Sequence, residues 1–489
     1  MVSLIRVRLL VTAAITSLLV AVSPAAAEEL ADAAERGAWD RVSSLGQTAD
    51  VNASQPDGTT ALHWAAQAER PDVIASLLAA GADASVANGY GVTPLELACA
   101  AGDAESARLL LSRGADATVV RETGRTMPMT AARSGAVDVL TLLLSHSAHV
   151  DATERSGQTA LMWAAAAGHA DAVQTLLDAG AIVDRRTGGE NGKGFTALMF
   201  AAREGRQDVC ERLLDAGADI HQTIDPKRTG ERNPRPQMSP LLFAVESGHF
   251  ELALALVARG ADPDDQRSGY APLHALTWVR RANKGDNPEG DPEPRGSGAV
   301  SSLEFARRLV AAGATVDLPL ENGRGGKAVL NVKGATPLLL ASHTADLPYM
   351  ETLLQLGADP DARNVDRTST LAAAAGVGVV SLVDEDPGTE PEVIAAIRRL
   401  AALGVSLDEV DANGETAMHG AAYRNYPEAV RVLDELGATP AIWNQKNKHG
   451  WTPREIAAGK RPGSFKPSPP TIVALDEVLA RTEAPLASE

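Results

Sequence analysis

The sequence predicts an all-α solenoid of about twelve short helix-turn-helix repeats with loop insertions, and three observations predict it. One pattern of about 33 residues recurs through most of the chain. Alanine is abundant, with 88 residues, while only 17 are aromatic (Trp 6, Tyr 5, Phe 6), so the interior must be thin and built from closely approaching helices. That composition disfavours a β-sandwich, a barrel or a large enzyme core. Finally, 489 residues exceed what one small core organises, so the chain is either several domains or one repeat array.

In chain order, Met1 to Arg8 is basic, Leu9 to Val22 is an apolar run of 14 residues, and Ser23-Pro24-Ala25-Ala26-Ala27 is small and cleavable. Residues 1–27 therefore read as a secretory signal peptide, placing the mature protein in the periplasm or outside the cell. The run is shorter than the ~18 residues a bilayer span needs, so no membrane span is expected after cleavage. Residues 28–57 carry a half-match to the pattern and are expected to form an N-terminal cap.

From 58 to 449 the pattern is Gly-x-Thr-Pro/Ala-Leu, a pair of small residues, roughly ten more residues, then Leu-Leu-x-x-Gly-Ala-Asp. It begins at 58, 91, 124, 157, 194, 237, 269, 334, 367 and 414, and again at 450, where residues 450–489 read as a C-terminal cap and tail. Thr before Pro or Ala predicts a helix N-cap with Pro at the first helical position. Pairs such as Ala164-Ala165 and Ala201-Ala202 let helices approach closely, and Leu176-Leu177 and Leu213-Leu214 supply the apolar stripe of a second helix. A Gly then ends that helix, where a left-handed residue is wanted. The third repeat has Met127-Pro128 and Ser147 in place of the usual residues, and the ninth lacks a starting Gly. Both are expected to be less stable than their neighbours.

With Thr60-Ala61-Leu62-His63-Trp64-Ala65-Ala66, Leu77-Leu78 and Gly81-Ala82-Asp83, repeated at Thr93-Pro94-Leu95 and Thr336-Pro337-Leu338, the chain closely resembles the ankyrin-repeat family. The resemblance implies units of turn, helix, turn, helix and finger that bury their faces only by stacking. It also implies that His63, His274 and His419 tie neighbouring turns together, and that a concave groove and the fingers bind another protein.

Insertions interrupt the period. Those at 185–194, 220–238 and 318–333 lengthen fingers and carry a net +6, whereas those at 280–302 and 376–392 separate the two helices of a repeat. Against a chain of net charge -18, the basic finger edge suits an acidic partner surface. The same acidity excludes wrapping of nucleic acid.

Other motifs carry no chemistry. Gly188 to Gly194 lacks the spacing and the Ser or Thr of a phosphate loop, and the acidic run Asp286 to Glu293 lacks calcium-loop order. His146, His149 and Asp151 lack a further metal ligand. Cys99 and Cys210 fall three repeats apart, beyond disulfide reach, and are expected as buried free thiols. No nucleophile with a base is present, so no catalytic, cofactor or metal site is expected.

Trp64, Trp163, Phe200 and Phe243 share a core slot of the first helix. Phe195, Tyr270, Trp278 and Tyr423 instead occupy positions that face the groove in the family the chain resembles, and are expected to be exposed on one face. With Arg185, Arg186, Arg203, Lys227, Arg228, Arg232 and Arg324 they form the expected partner-binding set, since aromatic and Arg side chains dominate binding hot spots. The expected function is a non-catalytic protein-interaction scaffold. The competing expectation is an enzyme or small-molecule-binding protein whose pocket is closed by the insertions at 185–238 and 280–333.

Overall fold

A computed structural model describes residues 24–188, 194–225, 236–281, 294, 296–323, 329–379, 388–461 and 466–483. The apolar run of the expected signal peptide lies outside them. The first described helix, Pro24–Glu35, runs through the expected cleavage point at Ala27. It pairs with Trp39–Leu45, burying Leu30, Ala33, Ala34 and Val42.

The described residues contain 25 helices and no strand. They form twelve helix pairs, with the single turn Pro440–Trp443 left over. The chain divides into two compact units. The first is Met1–Gly192 with Thr196–Leu198 and Asp208–Ala218; the second is Lys193–Phe195, Met199–Gln207 and Asp219–Glu489. Within each unit the first helix of a pair packs on first helices and the second on second helices. A pair such as Pro94–Ala101 and Ala104–Ser112 thereby buries Leu95, Ala98, Leu110 and Leu111 that it could not bury alone.

Local signals act as the sequence predicts. Thr93, Thr159 and Thr336 each accept a bond from the backbone N–H three residues on, at the start of Pro94–Ala101, Ala160–Ala167 and Pro337–His343. Successive fingers are stitched by side chains: Asn52 Oδ1 accepts from Asp83 N at 2.7 Å, Asp151 from Ile182 N at 3.1 Å, and Asp408 from Thr439 N at 2.7 Å.

The third repeat carries both expected defects. Thr126 Oγ1 is buried without a hydrogen bond, and Ser147 takes φ +64° where its neighbours use Gly. In the ninth repeat Arg367 likewise takes φ +64°, but its cap is intact, because Ser369 accepts from Ala372 N. The ninth repeat therefore carries only the backbone defect of its missing Gly and not a missing cap.

The insertions at 280–302 and 376–392 do separate paired helices, Pro272–Arg280 from Ser302–Ala311 and Thr370–Ala375 from Glu390–Ala402. The insertion at 318–333 does not simply project as a finger. Leu330 is buried and its N–H donates to Gly378 O at 3.2 Å, so the insertion reaches the loop that follows the first helix of the ninth repeat.

Candidate functional site

The groove positions were expected to be open, and three of the four aromatic residues there are not. Phe195, Tyr270 and Tyr423 are 5%, 1% and 2% exposed. Phe195 is wedged between Phe200 and Phe243, with ring centroids 5.1 Å from each. Tyr270 meets Trp278 edge to face at 4.7 Å, and its hydroxyl donates to Glu246. The Tyr423 hydroxyl donates to Glu415 Oε1 at 2.7 Å. Each ring buries a large apolar face against its own or an adjoining repeat, and each hydroxyl finds an acceptor; that combination favours the interior over solvent. Of the four, Trp278 alone is half-buried.

The basic set is only partly described. Arg185 is half-buried and Arg186 exposed, both in the first unit. Arg203 is exposed, pairs with Glu204 at 3.0 Å, and lies over the rings of Phe195 and Phe200. Lys227, Arg228, Arg232 and Arg324 lie outside the described residues.

The two units treat their first helices differently. In the second unit every residue of Pro337–His343, Thr370–Ala375 and Ala417–Arg424 is buried. In the first unit the corresponding helices keep an accessible face. Trp64, Leu97 and Trp163 are half-buried there, and Gln67, Ala100 and Arg133 are exposed. Arg125 lies over the Trp163 ring at 5.7 Å, Arg121 pairs with Glu96 at 3.3 Å, and Trp64 Nε1 donates to Gln55 at 2.9 Å. Burial pushes the Glu96 carboxyl above its ordinary range although Arg121 and Arg125 oppose it. Tyr90, at the tip of the second turn, is 72% exposed. Arg121, Arg125 and Tyr90 were missed from sequence; the signal was available, since Arg121 and Arg125 hold the turn slots of Gln55 and Thr59.

Two of the three motif histidines tie turns as expected; His274 accepts from Ala271 N at 3.3 Å, but its Nε2 is buried without a hydrogen bond, which corrects the expected tie there. Thr60 N donates to His63 Nδ1 at 3.2 Å, which leaves Nε2–H to donate to Val92 O at 3.0 Å in the next repeat. His419 repeats this with Thr416 and Gln445 O. Burial lowers the pKa of His63 and brings His274 and His419 to about 4. His146 and Asp151 bond Leu142 O and Ile182 N rather than each other. Cys99 and Cys210 are buried free thiols, each raised to about 12 by burial. Among the described residues no group of three His, Cys, Asp or Glu is placed to hold a metal, and no helix is long and apolar enough to cross a membrane.

Family models described as ankyrin repeats match residues 30–121, 128–224 and 185–267 in three copies, 391–433 as part of a many-copy repeat, and 333–365 as a single repeat. Among solved structures, a human ASB11 ankyrin repeat domain is 27% identical with a TM-score of 0.40, covering 48% of this chain and 98% of that one. No curated protein matches the chain. The Thr-capped helix pairs, the histidine ties between turns and the family matches agree, and the chain belongs to the ankyrin-repeat family.

Proposed function

We propose that the chain is a non-catalytic, exported scaffold that binds a polypeptide partner through the first-helix face and fingers of its first unit. Ankyrin repeats generally mediate protein–protein interaction, and proteins built from them are typically non-catalytic. The observation that carries the reading is the accessible first-helix face, with Trp163 under Arg125, Trp64 bonded to Gln55 and Arg121 paired with Glu96, where Pro337–His343, Thr370–Ala375 and Ala417–Arg424 of the second unit are wholly buried. Half-buried indoles beside guanidinium groups combine large apolar area with directional donors, the composition of interface hot spots. Arg185 and Arg186 on the same unit supply the steering charge for an acidic partner.

The test is affinity capture from the source cell with residues 28–489 and with a Trp64→Ala, Trp163→Ala double variant, read by mass spectrometry. One polypeptide is expected to be recovered by the first and lost by the second. An identical set from both removes the first-unit face as the site. For export, the mature N-terminus is expected at Glu28, and material still beginning at Met1 would overturn that part of the reading.

A further inference from the structure

The second unit holds a buried acidic cluster that no binding role uses. Glu415 and Asp411 sit four residues apart in one turn, 2% and 7% exposed. Glu415 Oε1 accepts from Tyr423 Oη at 2.7 Å and from Asn447 Nδ2 at 2.9 Å, and Asn447 Nδ2 also reaches Tyr423 Oη at 3.1 Å. Asp411 accepts from the N–H groups of Asn413 and Glu415 and from Thr368 Oγ1 at 3.0 Å. Among the described residues no basic side chain bonds either carboxyl. The cluster thus joins three successive turns, through Thr368 before it and Asn447 after it.

We propose that Glu415 is a pH-sensitive latch: as the neutral acid it holds the C-terminal repeat in place through Asn447, and ionisation beside Asp411 loosens residues 445–457. The hairpin it holds is otherwise tied to this turn by Lys448 N to Asn413 O at 2.7 Å and by the His419 Nε2 contact to Gln445 O at 3.2 Å. Two buried carboxylates in one turn repel, and each lacks a countercharge, so the charged pair is relieved only when water enters the joint. Burial, with Asp411 adding to it, raises Glu415 to about 7, while the bonds from Tyr423 and Asn447 oppose the rise.

The other groups facing this joint are Asp411 itself, Tyr423 and His419 of Ala417–Arg424, and Arg461, whose Nη1 donates to the Tyr423 carbonyl. Burial also raises Asp411, which keeps it from offsetting Glu415. His419, lowered to about 4 by burial, acts in the opposite sense, because acid charges a buried ring and takes away the Nδ1 acceptor of the Thr416 N–H, while the Nε2–H bond to Gln445 O survives. The Glu415 effect is therefore read against a Glu415→Gln variant, which keeps the acceptor and the histidine but cannot ionise.

The sign follows from linkage. The closed joint holds a proton up to about pH 7, whereas the open joint releases it near 4.5. Opening therefore becomes easier as pH rises through that window and levels off above it.

The experiment is amide hydrogen exchange over 445–457 of the full chain at a series of pH values, corrected for intrinsic exchange, for wild type and Glu415→Gln. The ratio of their opening constants is expected to rise by up to about tenfold per pH unit between about 4.5 and 7 and then to plateau. A ratio independent of pH overturns the latch. If the variant fails to fold, the infrared carboxylic-acid band of the wild type decides. A band that titrates away near pH 7 supports a protonated buried carboxyl, and its absence at about pH 6 rules one out.

Discussion

His63 Nε2 stands 3.0 Å from the carbonyl oxygen of Val92, so one imidazole spans two repeats while its Nδ1 caps the helix it belongs to. The Nδ1 contact needs the neutral ring, whereas the Nε2–H donor survives protonation, and burial holds the folded pKa below the ordinary value of 6.5 although the Val92 bond opposes it. Below about pH 6.5 the unfolded chain takes up a proton that the folded chain refuses, so the contribution is complete above that pH and is lost as pH falls. His63→Ala is expected to cost about 1–2 kcal/mol at neutral pH. In denaturant melts at neutral pH and at about pH 5, the gap between wild type and variant should narrow at the lower pH. A gap that stays constant would mean that neither the Nδ1 acceptor nor the neutral state of the buried ring contributes to stability.

Ser147 and Arg367 occupy a left-handed backbone that most repeats give to glycine, each at φ +64°, and both side chains are exposed. Replacing either with Gly removes strain and forfeits no packing. Ser147→Gly and Arg367→Gly are each expected to stabilise by about 1 kcal/mol, visible as a raised denaturation midpoint. Gly114 makes the converse case. At φ +92° a Cβ there would meet nothing within 4 Å, so Gly114→Ala should destabilise by about 1 kcal/mol through backbone conformation alone.

The repeat boundaries, the Thr caps and the histidine ties were legible because each is a short-range signal: Thr336 reaches a backbone N–H three residues away, and His63 uses a register that the period fixes. The exposure of Tyr270 and Tyr423 was not legible. A position faces open solvent only if nothing from elsewhere covers it, and here Glu246 and Asn447 lie 24 residues from each ring. The contact of Leu330 with Gly378 depends in the same way on how an insertion turns, which no periodicity encodes. In the first unit, where no insertion falls between residues 58 and 184, the family pattern located Trp64 and Trp163 but assigned them to the core. They are only half-buried, because the turn slots beside them carry Gln55 and Arg125 rather than apolar groups.

Phe195 was expected to contact a partner and instead packs between Phe200 and Phe243. Truncating it deletes a buried ring and leaves a cavity, so Phe195→Ala should cost about 3–5 kcal/mol. A partner-contact residue would behave otherwise, losing binding at unchanged stability. Thermal melts of this variant distinguish the two, and an unchanged midpoint would return Phe195 to the surface.

Burial raises both thiols to about 12, which leaves them almost wholly protonated at any ordinary pH. Since the thiolate is the reacting form, Cys99 and Cys210 should resist a disulfide-exchange reagent in the native protein. Two thiols per chain should appear on unfolding in denaturant. Rapid labelling of either one without denaturant would show that its repeat opens locally.

Arg280 and Asp346 form a buried pair that joins repeats separated by an insertion, with Nε to Oδ2 at 2.7 Å and Nη2 to Oδ1 at 3.0 Å. Asp346 is only 3% exposed at its side chain and also caps Leu347–Gln355 by accepting from Tyr349 N. The guanidinium in turn lies over the Tyr349 ring at 5.7 Å and donates to Ser302 Oγ, at the start of the partner helix Ser302–Ala311. Removing the cation strands a carboxylate away from water, so Arg280→Ala should cost about 3 kcal/mol. Removing both charges costs the cap and the bridge but leaves no stranded charge. The Arg280→Ala, Asp346→Ala double variant should therefore be less destabilised than the two single changes added together, by about 1 kcal/mol or more. Strict additivity in denaturant melts would show that the two side chains act independently.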